Sequence, residues 1–133
     1  MTFPDYHLHS SFSEDSDANI KEIIQSAKHK GMTSICITDH YDMDFPVIKE
    51  APEIRFDLDI PNYVNSLNES KQSLAPDFDL RIGIELGTMP NTLDKLNDFV
   101  KNNPYFDFII ASTHIVDNMD PYYPSYFEGR SIR

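Results

Sequence analysis

The sequence has 133 residues, with 22 acidic against 11 basic side chains, so its formal net charge is −11 when the histidines are neutral. That length suits one domain with a core, and the acidity excludes duplex nucleic acid and anionic membranes as partners. The 40% hydrophobic content excludes a disordered acidic tail. Apolar runs of about half a dozen residues cannot span a bilayer, and the single cysteine, Cys36, suits a reducing cytoplasm.

The first half of the chain alternates β-rich runs with a helical pattern. Residues 5–9 predict a strand, and residues 18–30 predict a helix because an apolar side chain recurs every three or four positions. Asp17 or Asn19 is expected to cap this helix, and Gly31 to follow its last turn. Residues 33–38 predict a second strand. Residues 41–59 contain two prolines and many charges and predict a long loop.

The second half continues the alternation. Asp59 and Pro61 together predict the start of a helix that ends by Pro76. A strand is expected at 80–85, a helix at 92–102 capped by Asn91, and a strand at 106–112. The resulting β-α-β-α-β-α-β order predicts parallel strands with right-handed crossovers. Either an open doubly wound sheet or part of a β/α barrel fits this order. No glycine-rich phosphate loop follows the first strand, which disfavours a nucleotide-binding fold.

The histidines show the clearest functional pattern. His7 and His9 share the end of the first predicted strand, and His40 and His114 follow the second and fourth. Glu85 ends the third strand, whereas the fifth histidine, His29, lies late in a helix and is expected on the surface. Active sites of parallel β/α folds assemble at the carboxyl ends of the strands. Each residue alone could be a solvated group or part of an ion pair, but their joint placement favours metal ligation.

Several acids near these histidines admit two readings. Asp5 and Asp39 could each orient a neighbouring imidazole or cap a turn. One of the acids that follow the first strand could face the site, or all could simply lie at a helix N-terminus, where the helix dipole favours negative charge; these acids are Glu14, Asp15 and Asp17. Mixed imidazole and carboxylate ligands suit zinc, manganese or iron rather than calcium. Closely spaced divalent ions can activate water and clamp a phosphoryl group. Cys36 lies inside a predicted strand and no Gly-x-Ser-x-Gly motif is present, so a nucleophilic triad is disfavoured.

These motifs resemble a known family. The sequence resembles the polymerase and histidinol phosphatase (PHP) superfamily in Asp5-Tyr6-His7-Leu8-His9-Ser10, Ser13, Asp15, Ile37-Thr38-Asp39-His40, Gly83-Ile84-Glu85 and Ser112-Thr113-His114. The run Tyr-Tyr-Pro-Ser-Tyr-Phe-Glu-Gly-Arg at 122–130 is similar to the histidinol-phosphatase branch. The resemblance implies an α/β fold, the distorted (β/α)7 barrel of PHP proteins, here incomplete with about four parallel strands and three helices.

The resemblance also implies a phosphomonoesterase that converts L-histidinol phosphate to L-histidinol and phosphate in histidine biosynthesis. Its trinuclear centre of divalent ions (zinc, manganese or iron) would activate a water for attack on phosphorus. Asp42 is the expected contact for the cationic end of the substrate, with a solvated loop acid as its alternative. By resemblance, the ligands of the three ions are His7, His9 and Glu85; Glu85 and His114; and Asp15 and His40.

The sequence departs from the family in length. A typical β/α barrel has ~250 residues, and the later histidine and Asp-x-His pair of the family are missing, which leaves each ion one protein ligand short. Residues 1–133 are therefore expected to be the N-terminal portion of one barrel domain. Two other interpretations stay open, namely a PHP-type phosphoesterase for a nucleotide or other small phosphorylated metabolite, and an inactive metal-binding or assembly fragment. A homodimer or another association could cover the open barrel edge.

Overall fold

A computed structural model describes residues 3–131, and in this part of the chain strands alternate with three α-helices. The strands are β1 (Asp5–Leu8), β2 (Ser34–Ile37), β3 (His40–Tyr41), β4 (Asp79–Gly87) and β5 (Phe108–Ser112). The helices are α1 (Ile20–His29), α2 (Ile60–Gln72) and α3 (Leu93–Asn102), and a 3-10 turn follows at Pro124–Phe127. The predicted order of strands and helices is confirmed.

The strands form one parallel sheet. β1 pairs with β2, β2 and β3 both pair with β4, and β5 pairs with the other side of β4. Ile37 lies opposite Ile82 and His40 opposite Glu85, so β2 and β3 keep the same register against β4. They are therefore one strand interrupted at residues 38–39, and the sheet is four strands wide, as predicted.

The start of α1 follows the predicted signals. The Asn19 side chain accepts a hydrogen bond from the Glu22 amide at 3.0 Å, and the Glu22 carboxylate accepts one from the Asn19 amide at 3.4 Å. This reciprocal capping box makes Asn19 the cap rather than Asp17. Gly31 follows the helix with a φ of 75°, a conformation that favours glycine.

The other two helices begin differently. Asp59 caps α2 by accepting a hydrogen bond from the Asn62 amide at 3.1 Å. α3 has Thr92 at its cap position, and the Thr92 hydroxyl donates to the Met89 carbonyl at 3.0 Å instead of capping the helix. The prediction of Asn91 as the cap of this helix was therefore wrong, because a turn at 89–92 occupies the position before it.

Apolar side chains between the sheet and the helices form the core. Fully buried members include Ile35 and Ile37 of β2, Leu80 of β4, and Tyr63 and Leu67 of α2. Residues 82, 84 and 86 extend the same cluster along β4. Within residues 3–131, no helix is long and apolar enough to cross a membrane.

The sheet curls strongly. Among the described residues, β1 pairs only with β2 and β5 only with β4, so these two strands are the edges. Even so, the rings of Tyr6 on β1 and Phe108 on β5 lie only 5.5 Å apart. The two edges therefore bend towards each other across one face, as they do in part of a β/α barrel.

Candidate metal centre

The predicted site residues lie together at the carboxyl edge of the sheet. β1 carries His7, and His9 follows it directly; His40 begins β3, and His114 lies two residues beyond β5. Glu85 does not end its strand, because β4 continues to Gly87, but it lies directly opposite His40. Parallel strands present their carboxyl ends at one edge, which brings these distant side chains into contact.

Glu85 is the centre of this cluster. Its side chain is only 3% exposed. The Nε2 atoms of His7 and His9 lie 2.8 and 2.9 Å from Glu85 Oε2, and Nε2 of His114 lies 3.0 Å from Oε1. His7 and His9 thus converge on one carboxylate oxygen, even though β1 is irregular in its pairing with β2, and their binding of a shared ion stays a prediction. One carboxylate therefore joins three imidazoles from two strand ends.

Asp15 supplies a second carboxylate from the loop after β1. Its Oδ2 atom lies 2.9 Å from Nδ1 of His9 and 3.4 Å from Nε2 of His40. Asp15, and not its neighbour Glu14, makes these contacts with the histidines. His9 therefore lies between two carboxylates, one buried and one partly exposed.

Asp39 holds this loop in place. Its carboxylate accepts hydrogen bonds from the amide and hydroxyl of Ser10, at 2.5 and 2.6 Å, and from the hydroxyl of Ser13 at 2.9 Å. Ser13 in turn accepts a hydrogen bond from the His40 amide at 2.8 Å. Asp39 was expected either to orient the His40 ring or to cap a turn. Among the described residues its carboxylate makes no bond to the His40 ring, and it instead holds the loop after β1 against the break between β2 and β3. Asp5 caps locally, since it accepts from the His7 amide at 3.1 Å.

Asp42, the predicted contact for a cationic substrate group, lies beside His114. Its Oδ2 atom is 2.7 Å from Nδ1 of His114, and its side chain is 3% exposed. Its Oδ1 atom is buried without a hydrogen-bond partner among the described residues, as is Nδ1 of His40, 3.9 Å away. The role of Asp42 in substrate binding stays a prediction.

The charges of the cluster depend on one another. Burial opposes ionisation of Glu85, but hydrogen bonds from His114 and His9 outweigh it and hold the pKa of this carboxyl far below its usual range. Burial also opposes the charged form of His9, yet its bonds to Glu85 and Asp15 raise its pKa to about 9. Likewise, Asp42 and Glu85 raise the pKa of His114 to about 10. Burial lowers the pKa of His40, so this ring is neutral at pH 7.

The donor atoms fit divalent metal ions. Within residues 3–131, three sets of side chains each bring three potential ligand atoms within 4.8 Å of one another, and any two of the sets share one residue, His9, His40 or Glu85. Shared ligands suit ions that lie close together, and the mixture of imidazole and carboxylate suits zinc, manganese or iron. The buried Nδ1 of His40 has no hydrogen-bond partner in the part of the chain that the structure describes, so this potential metal-ligand atom is not engaged elsewhere. The three sets are His7, His9 and Glu85; His9, Asp15 and His40; and His40, Glu85 and His114.

A cavity of about 730 Å³ opens beside this cluster. The candidate ligands Asp15, His40 and His114 line it, and most of its other lining residues come from two segments outside the predicted strands and helices. The sequence prediction missed these lining residues, and the aromatic run after residue 121 was its only signal. The cavity is also lined by Glu14, Phe45, Ile48, Ile54, Phe56, Thr113, Asp120, Pro121, Tyr122 and Tyr123.

Fold and site together define a parallel α/β protein with a candidate centre for several metal ions. The chain belongs to the PHP domain family, which it matches over residues 5–131. The predicted family is therefore confirmed.

Relatives within this family share a name. A histidinol-phosphatase of Lactococcus lactis is 31% identical over 129 residues, which cover 97% of this chain and 45% of the relative. A probable histidinol-phosphatase of Clostridium acetobutylicum is 31% identical over 118 residues, which cover 89% and 42%. The crystal structure of the Lactococcus lactis histidinol phosphate phosphatase with zinc, L-histidinol and phosphate superposes with a TM-score of 0.78 and 32% identity, covering 88% of this chain and 42% of that one. The chain thus spans less than half the length of these relatives.

Proposed function

We propose that this chain provides metal-binding residues of a phosphomonoesterase that hydrolyses L-histidinol phosphate to L-histidinol and phosphate in histidine biosynthesis. The observation that carries the proposal is the buried Glu85 carboxylate, which His7, His9 and His114 all contact at 2.8–3.0 Å. Membership of the PHP family supports it, as does the similarity to a protein whose crystal structure contains zinc, L-histidinol and phosphate.

The charge of the site supports a requirement for cations. The cavity is lined by three carboxylates, Glu14, Asp15 and Asp120, and Glu85 lies just behind it. These four carboxylates outnumber the two rings, His9 and His114, that carry positive charge at pH 7. A phosphate dianion would therefore meet net negative charge in a partly buried site, where like charges repel strongly. Divalent ions would offset that repulsion, activate a water and stabilise the charge at phosphorus. We propose three such ions, and they would be zinc, manganese or iron.

The residues of the chain then have separate tasks. Glu85 holds the three imidazoles together, and Asp15 brings His9 and His40 into one group. The acids Glu14 and Asp120 line the cavity and suit a substrate with positive charge, such as the amino group of L-histidinol phosphate. Asp42, the contact expected from the sequence, is buried beside His114 and does not line the cavity.

Phosphate release by the purified chain tests the proposal. L-Histidinol phosphate and a panel of nucleotide and sugar monophosphates are supplied with zinc, manganese or iron, and we expect turnover of L-histidinol phosphate above the others. Glu85→Gln should lose this activity, whereas Glu53→Gln, the same change at an exposed residue, should retain it. Preference for another phosphate ester would instead support a PHP phosphoesterase of different specificity.

A second candidate is an inactive metal-binding or assembly role. The strands β1 and β5 are unpaired edges among the described residues, and Phe108 on β5 is 39% exposed. Bound zinc without turnover, together with a dimer in light scattering, would favour this role over catalysis.

A cytoplasmic location is part of the proposal, and it agrees with the buried, free thiol of Cys36.

A further inference from the structure

We infer that Asp42 is a positioning residue that fixes the ring of His114 and that Gly87 is required to make room for it. The inference rests on the proposed metal site, because it assigns to Asp42 the orientation of one proposed ligand. It concerns two residues that lie on different strands or strand ends and meet only in the folded protein.

The contacts of Asp42 define the geometry. Its Oδ2 atom lies 2.7 Å from Nδ1 of His114, and the opposite ring nitrogen, Nε2, lies 3.0 Å from Oε1 of Glu85. When Nδ1–H of His114 donates a hydrogen bond to Asp42, Nε2 is the ring nitrogen that faces the other proposed ligands. A carboxylate in this position commonly fixes both the tautomer and the orientation of a metal-ligating histidine.

The Asp42 carboxylate lies behind the ring rather than in the cavity. His114 lines the cavity and Asp42 does not. The Asp42 side chain is 3% exposed, and its amide donates to the Phe56 carbonyl at 2.9 Å, which fixes the backbone at this point. The carboxylate is thus placed to act on His114 and, through its second oxygen 3.9 Å from Nδ1, on His40.

Gly87 provides the space for this carboxylate. A Cβ atom at position 87 would come within 2.6 Å of Oδ1 of Asp42, and closer still to Cγ and Oδ2. Real Cβ atoms do not approach other atoms so closely, so the carboxylate would have to move. The last residue of β4 is therefore tied to Asp42 by packing, and a change at either residue should act through the other.

Zinc affinity of the 133-residue chain tests the inference by competition with a chromophoric chelator. Asp42→Asn should bind zinc about 10- to 100-fold more weakly, the range found when such outer partners are lost. Gly87→Ala should weaken zinc binding to a similar degree. Asp57→Asn, an equal change of charge at an exposed residue in the same loop, is the matched control and should leave the affinity unchanged.

The double variant Asp42→Ala/Gly87→Ala separates positioning from a general loss of structure. Removing the carboxylate relieves the overlap, so the double variant should unfold in urea at a higher midpoint than Gly87→Ala alone. Its zinc affinity should stay as low as that of Asp42→Ala, so the two losses should not add. Additive losses of affinity, or wild-type affinity in Asp42→Asn, would overturn the inference.

Proton NMR of the metal-free chain reads the same contact without zinc. His114 should show a downfield, slowly exchanging Nδ1 proton that disappears in Asp42→Ala and persists in Asp57→Asn. If the wild-type chain binds no zinc but this proton behaves as expected, the proposed function fails and the contact stands. If zinc binds normally and the proton is unaffected by Asp42→Ala, the inference fails alone.

Discussion

Replacing Tyr63 by phenylalanine removes one oxygen atom from the centre of the fold and should destabilise the metal-free protein. The Tyr63 side chain is fully buried, and its hydroxyl lies 2.9 Å from the carbonyl oxygen of Gly83 and 3.0 Å from that of Ile37. It also accepts a hydrogen bond from the Asp39 amide at 3.4 Å. The hydroxyl therefore bridges β4 and the interrupted strand at the break.

The size of the effect follows from the groups that lose a partner. Phenylalanine keeps the packing of the ring, including its contact with Phe12 at 5.4 Å between centroids. The Asp39 amide and one backbone carbonyl lose their bond to the hydroxyl, and an unpaired buried polar group costs about 1–3 kcal/mol. The carbonyl contributes less to this loss than the amide, because its second lone pair can still accept a hydrogen bond in the sheet. We therefore expect a loss of about 2–3 kcal/mol in the free energy of unfolding.

Urea unfolding followed by circular dichroism measures this loss, with a chelator present so that metal binding does not contribute. Burial raises the pKa of Tyr63 well above its ordinary value, so the hydroxyl is a neutral donor at pH 7. Tyr122→Phe, at a side chain 83% exposed, is the control and should change stability by less than about 0.5 kcal/mol. An equally small change for Tyr63→Phe would refute the assignment of the hydroxyl as a bridge across the break.

Three further outcomes are expected. Glu85→Gln should weaken zinc binding more than about 100-fold, which exceeds the loss typical when a residue that only orients a ligand is removed. Metal analysis after dialysis that finds as much bound zinc as in the wild type would contradict the central role of Glu85. Zinc binding at pH 7 should release about two protons, because the pKa values of His9 and His114 are raised to about 9 and about 10 and the rings must be neutral to bind metal. Affinity should accordingly rise with pH up to that range, and calorimetry in buffers of different ionisation enthalpy counts the protons. Asn19→Ala should cost about 1 kcal/mol in urea unfolding through loss of the capping box, and a cost of only a few tenths would speak against that cap.

The sequence was informative where local chemistry decides the structure. The capping pattern at Asn19 and the glycine at position 31 mark the ends of α1 through short-range bonds and one backbone conformation. The sequence predicted that His7, His40 and Glu85 lie together, because the ends of parallel strands meet at one edge, whatever the length of the loops between them.

The remaining features depend on partners that lie far away in the chain. β4 continues past Glu85 because β3 on one side and β5 on the other supply backbone partners as far as residues 86–87. The role of Asp39 depends on Ser10 and Ser13, which no local pattern links to it. Most of the cavity lining comes from two loops, and nothing in the alternation of apolar and polar residues indicates that they meet.

The interruption between β2 and β3 limits how the chain can change in length. Because the register against β4 is the same before and after residues 38–39, the alternation of side chains passes through the break unaltered. A shift of one residue moves every following side chain to the opposite face of a sheet. Inserting or deleting a single residue here would turn His40 towards the helices and Tyr41 towards Glu85. We therefore expect this segment to reject single-residue insertions and deletions, whereas the loop between β3 and α2 should accept several at its exposed positions.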